Sequence, residues 1–138
     1  MKVYCERYRF YKHPVKFIQS LFDKTFINRF VTPKKANRLY NRAKICLNMH
    51  HEQSVYGINP RFFEIAGTDS LLFTDHRPFI DDFFPGYNIH SYKTEDELFS
   101  MIHDHFYGTK KEIDRGLNQE IRMNHTYRNR IGYILNHI

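Results

Sequence analysis

Hydrophobic positions fall in short runs separated by polar, turn-forming stretches, and two periods alternate along the chain. Residues 1–5, 26–31, 45–49 and 88–92 are brief β-type runs, and residues 71–73 begin another that stops at Thr74-Asp75. Between them, apolar residues recur at helical spacing. Phe17, Ile18, Leu21 and Phe22 predict a helix within residues 6–25, with Pro14 near its first turn. Thr32-Pro33 is a cap followed by proline and opens a second helix with a stripe of Ala36, Leu39, Tyr40 and Ala43. Asn59-Pro60 repeats that signal ahead of Phe62, Phe63 and Ile65, and residues 67–70 end the helix. Residues 79–84 read as a short helix or turn closed by Pro85-Gly86. Thr94 with Glu97, and Thr109 with Glu112, have capping-box spacing. The first box precedes Leu98, Met101, Ile102 and Phe106, and the second Ile113, Leu117 and Ile121. A last amphipathic helix carries Tyr127, Ile131, Ile134 and Leu135.

Strands alternating with helices predict an α/β fold, a Rossmann-like three-layer α/β/α sandwich with about five parallel strands. The length of 138 residues suits one domain over residues 1–138. The chain has 13 Phe and 10 Tyr, enough apolar surface to fill a core, so disorder is not expected along most of it.

A formal charge of +6 favours anionic partners without choosing among them. The basic residues are spread out (Lys2, Arg7, Arg9, Lys12, Lys16, Lys34, Lys35, Arg38, Arg42), and no block is dense enough to read as a nucleic-acid arm. Nucleic acid is therefore not an expected partner. Cys5 and Cys46 both lie in apolar runs and read as small core residues. Neither a signal peptide nor a window approaching the roughly 18 apolar residues of a membrane span is visible. The chain reads as cytoplasmic, without a membrane span.

Ligands of open parallel sheets bind outside the carboxyl ends of the strands. Three stretches qualify: residues 50–61, residues 74–78 and the residues after Cys5. The first runs HHEQSVYGINPRFFE from His50 to Glu64. Gly57 allows close approach of a ligand, and the helix opened by Asn59-Pro60 offers amides to an anion. Arg61 adds a forked cation suited to diphosphate oxygens. Glu64, one turn further in, could accept hydrogen bonds from both hydroxyls of a ribose. The same spacing also suits a surface pair at i, i+3 on a helix. Glu95-Asp96-Glu97 reads as charge at a helix N-terminus, and Asp81-Asp82 as solvated surface. His50 and His51 have no third ligand nearby, so no metal is expected.

Residues 32–138 resemble the C-terminal domain of the spore maturation glycosyltransferase-like family, within the GT-B superfamily and its family-1-like group. The segments carrying the resemblance are ANRLYNRAKICLNMHH (36–51), GINPRFFEIAGTDSLLFTD (57–75), FFPGYNIHSYKTEDELFSMI (83–102) and NHTYRNRIGYIL (124–135). Asn-x-Arg-x-Phe-Glu followed by an apolar strand ending Thr-Asp is specific, and His125-Thr126-Tyr127 matches a further signature. The resemblance implies a nucleotide-diphosphate sugar donor, with a UDP-sugar expected and no cofactor. Arg61 would lie near the leaving diphosphate. Glu64 matches the second glutamate of a Glu-x7-Glu motif and would hold the donor ribose. Gly57 and Asn59 would shape the phosphate loop, and His50 would face the cleft. Thr74 and Asp75, at the end of the fourth strand, complete the nucleotide-sugar-binding set.

Two departures bear on activity. The first glutamate of the motif falls at Tyr56, and Asp69 stands where the family's small turn carries glycine, which predicts a strained or altered turn. The chain would correspond to the donor-binding half. The acceptor site and the general base would then come from a separate N-terminal GT-B domain, and a homodimer is a further possible assembly. The alternative is a non-catalytic nucleotide-sugar-binding or interaction module.

Overall fold

Three short strands lie side by side in parallel, and their side-chain alternation decides which face is covered. The structure, a computed structural model, describes residues 3–4, 26–27, 31–51, 56–108 and 112–138. It divides into two compact units, Met1–Ala36 and Asn37–Ile138. In the first unit, β1 (Val3–Tyr4) pairs in parallel with β2 (Phe26–Ile27). The helix expected within residues 6–25, its residues Phe17, Ile18, Leu21 and Phe22, and the strand position of Cys5 lie outside the described residues.

Helix α1 (Pro33–Arg42) begins where Thr32-Pro33 predicts, and Ala36 N donates to Thr32 O at 2.8 Å. In the second unit, β3 (Ile45–Asn48), β4 (Leu71–Asp75) and β5 (His90–Tyr92) form a parallel sheet in the order β3-β4-β5. Five strands, all in parallel pairs, therefore fall among the described residues as a sheet of three and a pair of two.

The central strand β4 is buried along Leu71–Thr74, as a strand flanked on both edges should be. On β3, Cys46 and Asn48 are buried while Leu47, on the opposite face, is exposed. The covered face meets α2 (Pro60–Ala66), α3 (Pro78–Phe83) and α5 (Arg115–Asn124) in a core of Cys46, Phe62, Ile65, Leu72, Ile80, Phe84, Leu117 and Ile121. Phe62 and Phe84 stack at 5.7 Å, and His125 sits against Phe63, Phe83 and Phe84 at 5.3–5.6 Å. Four of the 13 phenylalanines, Phe62, Phe63, Phe83 and Phe84, thus belong to one cluster at α2.

Helix α4 (Glu95–Tyr107) starts at the capping box, with Glu97 N on Thr94 Oγ1 at 3.2 Å and Lys93 N on Glu97 Oε2 at 2.6 Å. Thr109 of the second box lies outside the described residues. Glu112 and Ile113 precede α5, and its cap is Asp114. Asp114 Oδ1 accepts Leu117 N at 3.0 Å, while Oδ2 accepts Asn88 N at 2.6 Å. One carboxylate therefore serves the helix start and the approach to β5 together. Burial acts to raise the Asp114 carboxyl, but the amides of Asn88, Leu117 and Gly116 outweigh it and hold the group below the usual carboxylate range. Helix α6 (Tyr127–Leu135) follows, capped by Thr126. Among the described residues no helix is long and apolar enough to cross a membrane.

Helix α2 is fastened at both ends by asparagine side chains. Asn59 Oδ1 accepts Phe62 N at 2.9 Å and its Nδ2 donates to Met49 O at 3.0 Å, tying the helix start to the end of β3. At the other end, buried Asn118 on α5 donates to Ala66 O at 3.1 Å and to Thr68 O at 2.8 Å. Removing a donor from two buried carbonyls is costly. Asn118→Ala is expected to destabilise the fold by about 2 kcal/mol in urea denaturation, whereas exposed Met123→Ala is expected to stay within about 0.5 kcal/mol of wild type.

Candidate functional site

The carboxyl ends of β3 and β4 carry polar residues that the fold draws together. Asn48 and Thr74 are register partners, and buried Asn48 Nδ2 donates to Thr74 Oγ1 at 3.1 Å. One residue beyond β4's buried stretch, Asp75 takes three further bonds. Its Oδ1 accepts His50 N at 2.9 Å and faces His50 Nδ1 at 2.7 Å, and its Oδ2 accepts Arg77 Nε at 2.9 Å. The His50 ring is fully buried, edge-on to Phe79. With Asp75 ionised, Nδ1 carries the proton, and Nε2 is left buried without a partner among the described residues.

Burial alone would raise the Asp75 carboxyl. The hydrogen bonds from His50 and Arg77 outweigh it and hold the group below its ordinary range. Of the residues that the sequence singles out, His50, Thr74 and Asp75 are thus brought together in a network that fastens β3 to β4. Burial raises the nearby Tyr92 phenol, and the charge on Asp75 adds to that.

Asn59 and Gly57 shape the entry to α2. Gly57 has φ +115°, a backbone state that side-chain-bearing residues rarely adopt, and a Cβ there would meet open space. The constraint at Gly57 is therefore conformational and not steric. Pro60 contributes no N–H and Asn59 already engages Phe62 N, so the tip of this seven-residue helix presents fewer free amides than the sequence pattern suggests.

Arg61 and Glu64 are both exposed on α2 and both act on Tyr40 of α1. Burial raises the Tyr40 phenol; the Arg61 guanidinium opposes that and Glu64 adds to it. Glu64 also borders a cavity of about 250 Å³ between α2 and the α5–α6 junction. Phe63, Arg122, His125, Tyr127 and Arg130 line its other walls. Arg61 is not among the lining residues. Arg122 Nε donates to Gly67 O at 2.7 Å, and the Arg130 guanidinium lies over the Phe63 ring at 4.0 Å.

The His125-Thr126-Tyr127 signature now has a physical meaning. His125 plugs the phenylalanine cluster, Thr126 Oγ1 caps α6 by accepting Asn129 N at 3.2 Å, and Tyr127 edges the cavity. The turn at residues 67–70 is not strained by Asp69, because no non-glycine residue among those described has positive φ. Asp69 instead reaches Arg122 Nη2 at 3.4 Å. Sequence reasoning missed Arg122 and Arg130. The available signal was Arg130 one turn past the Thr126 cap, on the helix face that starts at the signature.

Asp75 links this region to acidity. A depressed folded-state value means that the ionised carboxylate stabilises the fold above the unfolded-chain value, and that the contribution is lost as pH falls through the folded one. Asp75→Asn is expected to cost about 1–3 kcal/mol near neutral pH, with the gap to wild type closing below about pH 4. Urea denaturation at both acidities checks this, and an equal gap in both would contradict it.

The model of a family described as glycosyl transferase-like matches residues 1–136, taking in the stretch before Thr32 as well as the α/β unit described above. No curated protein and no solved structure matches the chain. A parallel sheet with helices, carrying polar residues at its strand ends, accords with that match, and the chain belongs to the glycosyl transferase-like family.

Proposed function

We propose that this chain binds the nucleotide-diphosphate sugar donor of a glycosyl transfer reaction, with Glu64 accepting the ribose hydroxyls. The observation carrying the reading is the position of Glu64. It lies on α2, at the rim of a cavity of about 250 Å³ whose walls add two arginines and aromatic surface, in a member of a glycosyl transferase-like family. A carboxylate accepts from two vicinal hydroxyls, and guanidinium groups match phosphate oxygens. Cations held near the diphosphate stabilise the charge that develops as the sugar departs, and the arginines around Glu64, Arg61 among them, supply that charge.

The finer assignment is to the C-terminal, donor-binding half of a GT-B enzyme of the spore maturation type, built on a Rossmann-like sheet, with UDP-sugar as the donor. In that arrangement Gly57 and Asn59 set the loop beside the donor. His50, Thr74 and Asp75 keep the strand ends beneath it in place. The acceptor and its general base belong to another domain or a partner chain, and closure between the halves excludes water from the reacting bond.

The second reading, a nucleotide-sugar-binding module without catalysis, is favoured by Tyr56. That residue is exposed where the motif's first glutamate would stand, so no carboxylate is available there.

UDP or GDP at about a hundredfold its Kd is expected to stabilise the protein by about 2.7 kcal/mol, read as a rise in Tm. Glu64→Ala is expected to abolish most of that rise while leaving the ligand-free Tm within a few degrees of wild type. A full rise in the variant, or none in the wild type, would count against the reading. Hydrolysis of a UDP-sugar by this chain alone would exclude the module without catalysis.

A further inference from the structure

We infer that the diphosphate of the bound nucleotide is clamped by Arg122 and Arg130 inside the cavity, with Arg61 taking only a minor share. This rests on the nucleotide reading above and asks where the anion goes once Glu64 holds the ribose. Glu64 belongs to two surroundings, the Tyr40 side shared with Arg61 and the cavity, and Arg61 does not line the cavity.

The two cavity arginines come from opposite sides of one junction. Arg122 lies in the last turn of α5, and Arg130 one turn into α6, whose start is set by the Thr126 cap. Arg122 is anchored through Nε to Gly67 O at 2.7 Å and touches Asp69 at 3.4 Å, which leaves other N–H groups of its fork for a ligand. A Cβ on Gly67 would stand 3.2 Å from Phe63 O and 3.4 Å from the Ile121 side chain, so the end of α2 packs closely against this wall.

Arg130 lies over Phe63 at 4.0 Å, and stacking of that kind leaves the in-plane N–H donors unused. Among the described residues no carboxylate lies within ion-pair distance of it. Two guanidinium groups and the carboxylate of Glu64 therefore line the cavity, with Asp69 offsetting part of the charge on Arg122 from outside it. A ligand that offers hydroxyls to the carboxylate and a dianionic group to the guanidinium pair complements this arrangement. A nucleoside diphosphate has both.

Isothermal titration calorimetry with UDP, uridine and inorganic pyrophosphate separates the parts. Arg122→Gln and Arg130→Gln are each expected to weaken UDP and pyrophosphate about tenfold or more and to leave uridine unchanged, while Arg61→Ala weakens UDP less than about threefold. Arg130→Lys keeps the charge and is expected to fall between wild type and Arg130→Gln, which sets charge apart from packing against Phe63.

A larger loss for UDP in Arg61→Ala than in Arg130→Gln overturns the clamp. Equal loss of UDP and uridine in Arg130→Gln also overturns it, since the residue would then be structural. If wild type binds pyrophosphate with the same arginine dependence but neither UDP nor uridine, the clamp stands and the nucleotide reading falls. If it binds none of the three, both fall.

Discussion

The whole candidate site depends on how one short helix is held. Seven residues are too few for a helix to be stable by itself in water, so α2 owes its position to what grips its ends. Asn59 spans from the carbonyl that ends β3 to an amide in the first turn. Asn118 closes the far end by donating to the carbonyl of the helix's last residue, Ala66, and to that of Thr68 just beyond it. Between these grips Phe62 and Ile65 are fully buried, which leaves Arg61 and Glu64 on the outer side. The backbone that carries the exposed carboxylate is held in place because Phe62 and Ile65 beside it are buried.

Because Asn118 lies on α5, the C-terminal helices do more than cover the core. They pin α2 and also supply the walls facing Glu64. His125 extends this coupling: its ring fills the space among Phe63, Phe83 and Phe84, so the turn between α5 and α6 is seated by the same aromatic cluster that seats α2. The helix bearing the carboxylate and the helices bearing Arg122 and Arg130 are then parts of one packed unit.

Local signals were legible in the sequence where one residue and its immediate neighbours decide the outcome. Thr32-Pro33, Asn59-Pro60 and Thr94 with Glu97 each mark a helix start that the structure shows. Signals that depend on distant partners were not legible. Helix α5 starts at Asp114, whose carboxylate also meets Asn88, twenty-six residues away in the chain. Similarly, His50 and Asp75 looked like cleft residues from their place at strand ends, whereas their mutual bond puts the imidazole inside. Of the expected sheet of about five parallel strands, the described residues show a sheet of three and a pair of two, since strand alternation gives direction but not which strands become neighbours. The cavity is the clearest case: it arises between α2 and helices more than fifty residues later, and no spacing rule reaches that far.

Donor binding through Glu64 requires that a nucleotide enters the space beside this carboxylate. A crystal structure of the protein grown with UDP or GDP tests it directly. The ribose hydroxyls should lie about 2.6–3.2 Å from the Glu64 carboxylate, with the diphosphate directed toward Arg122 and Arg130. A nucleotide seated away from α2, with the cavity left free of it, would contradict the account.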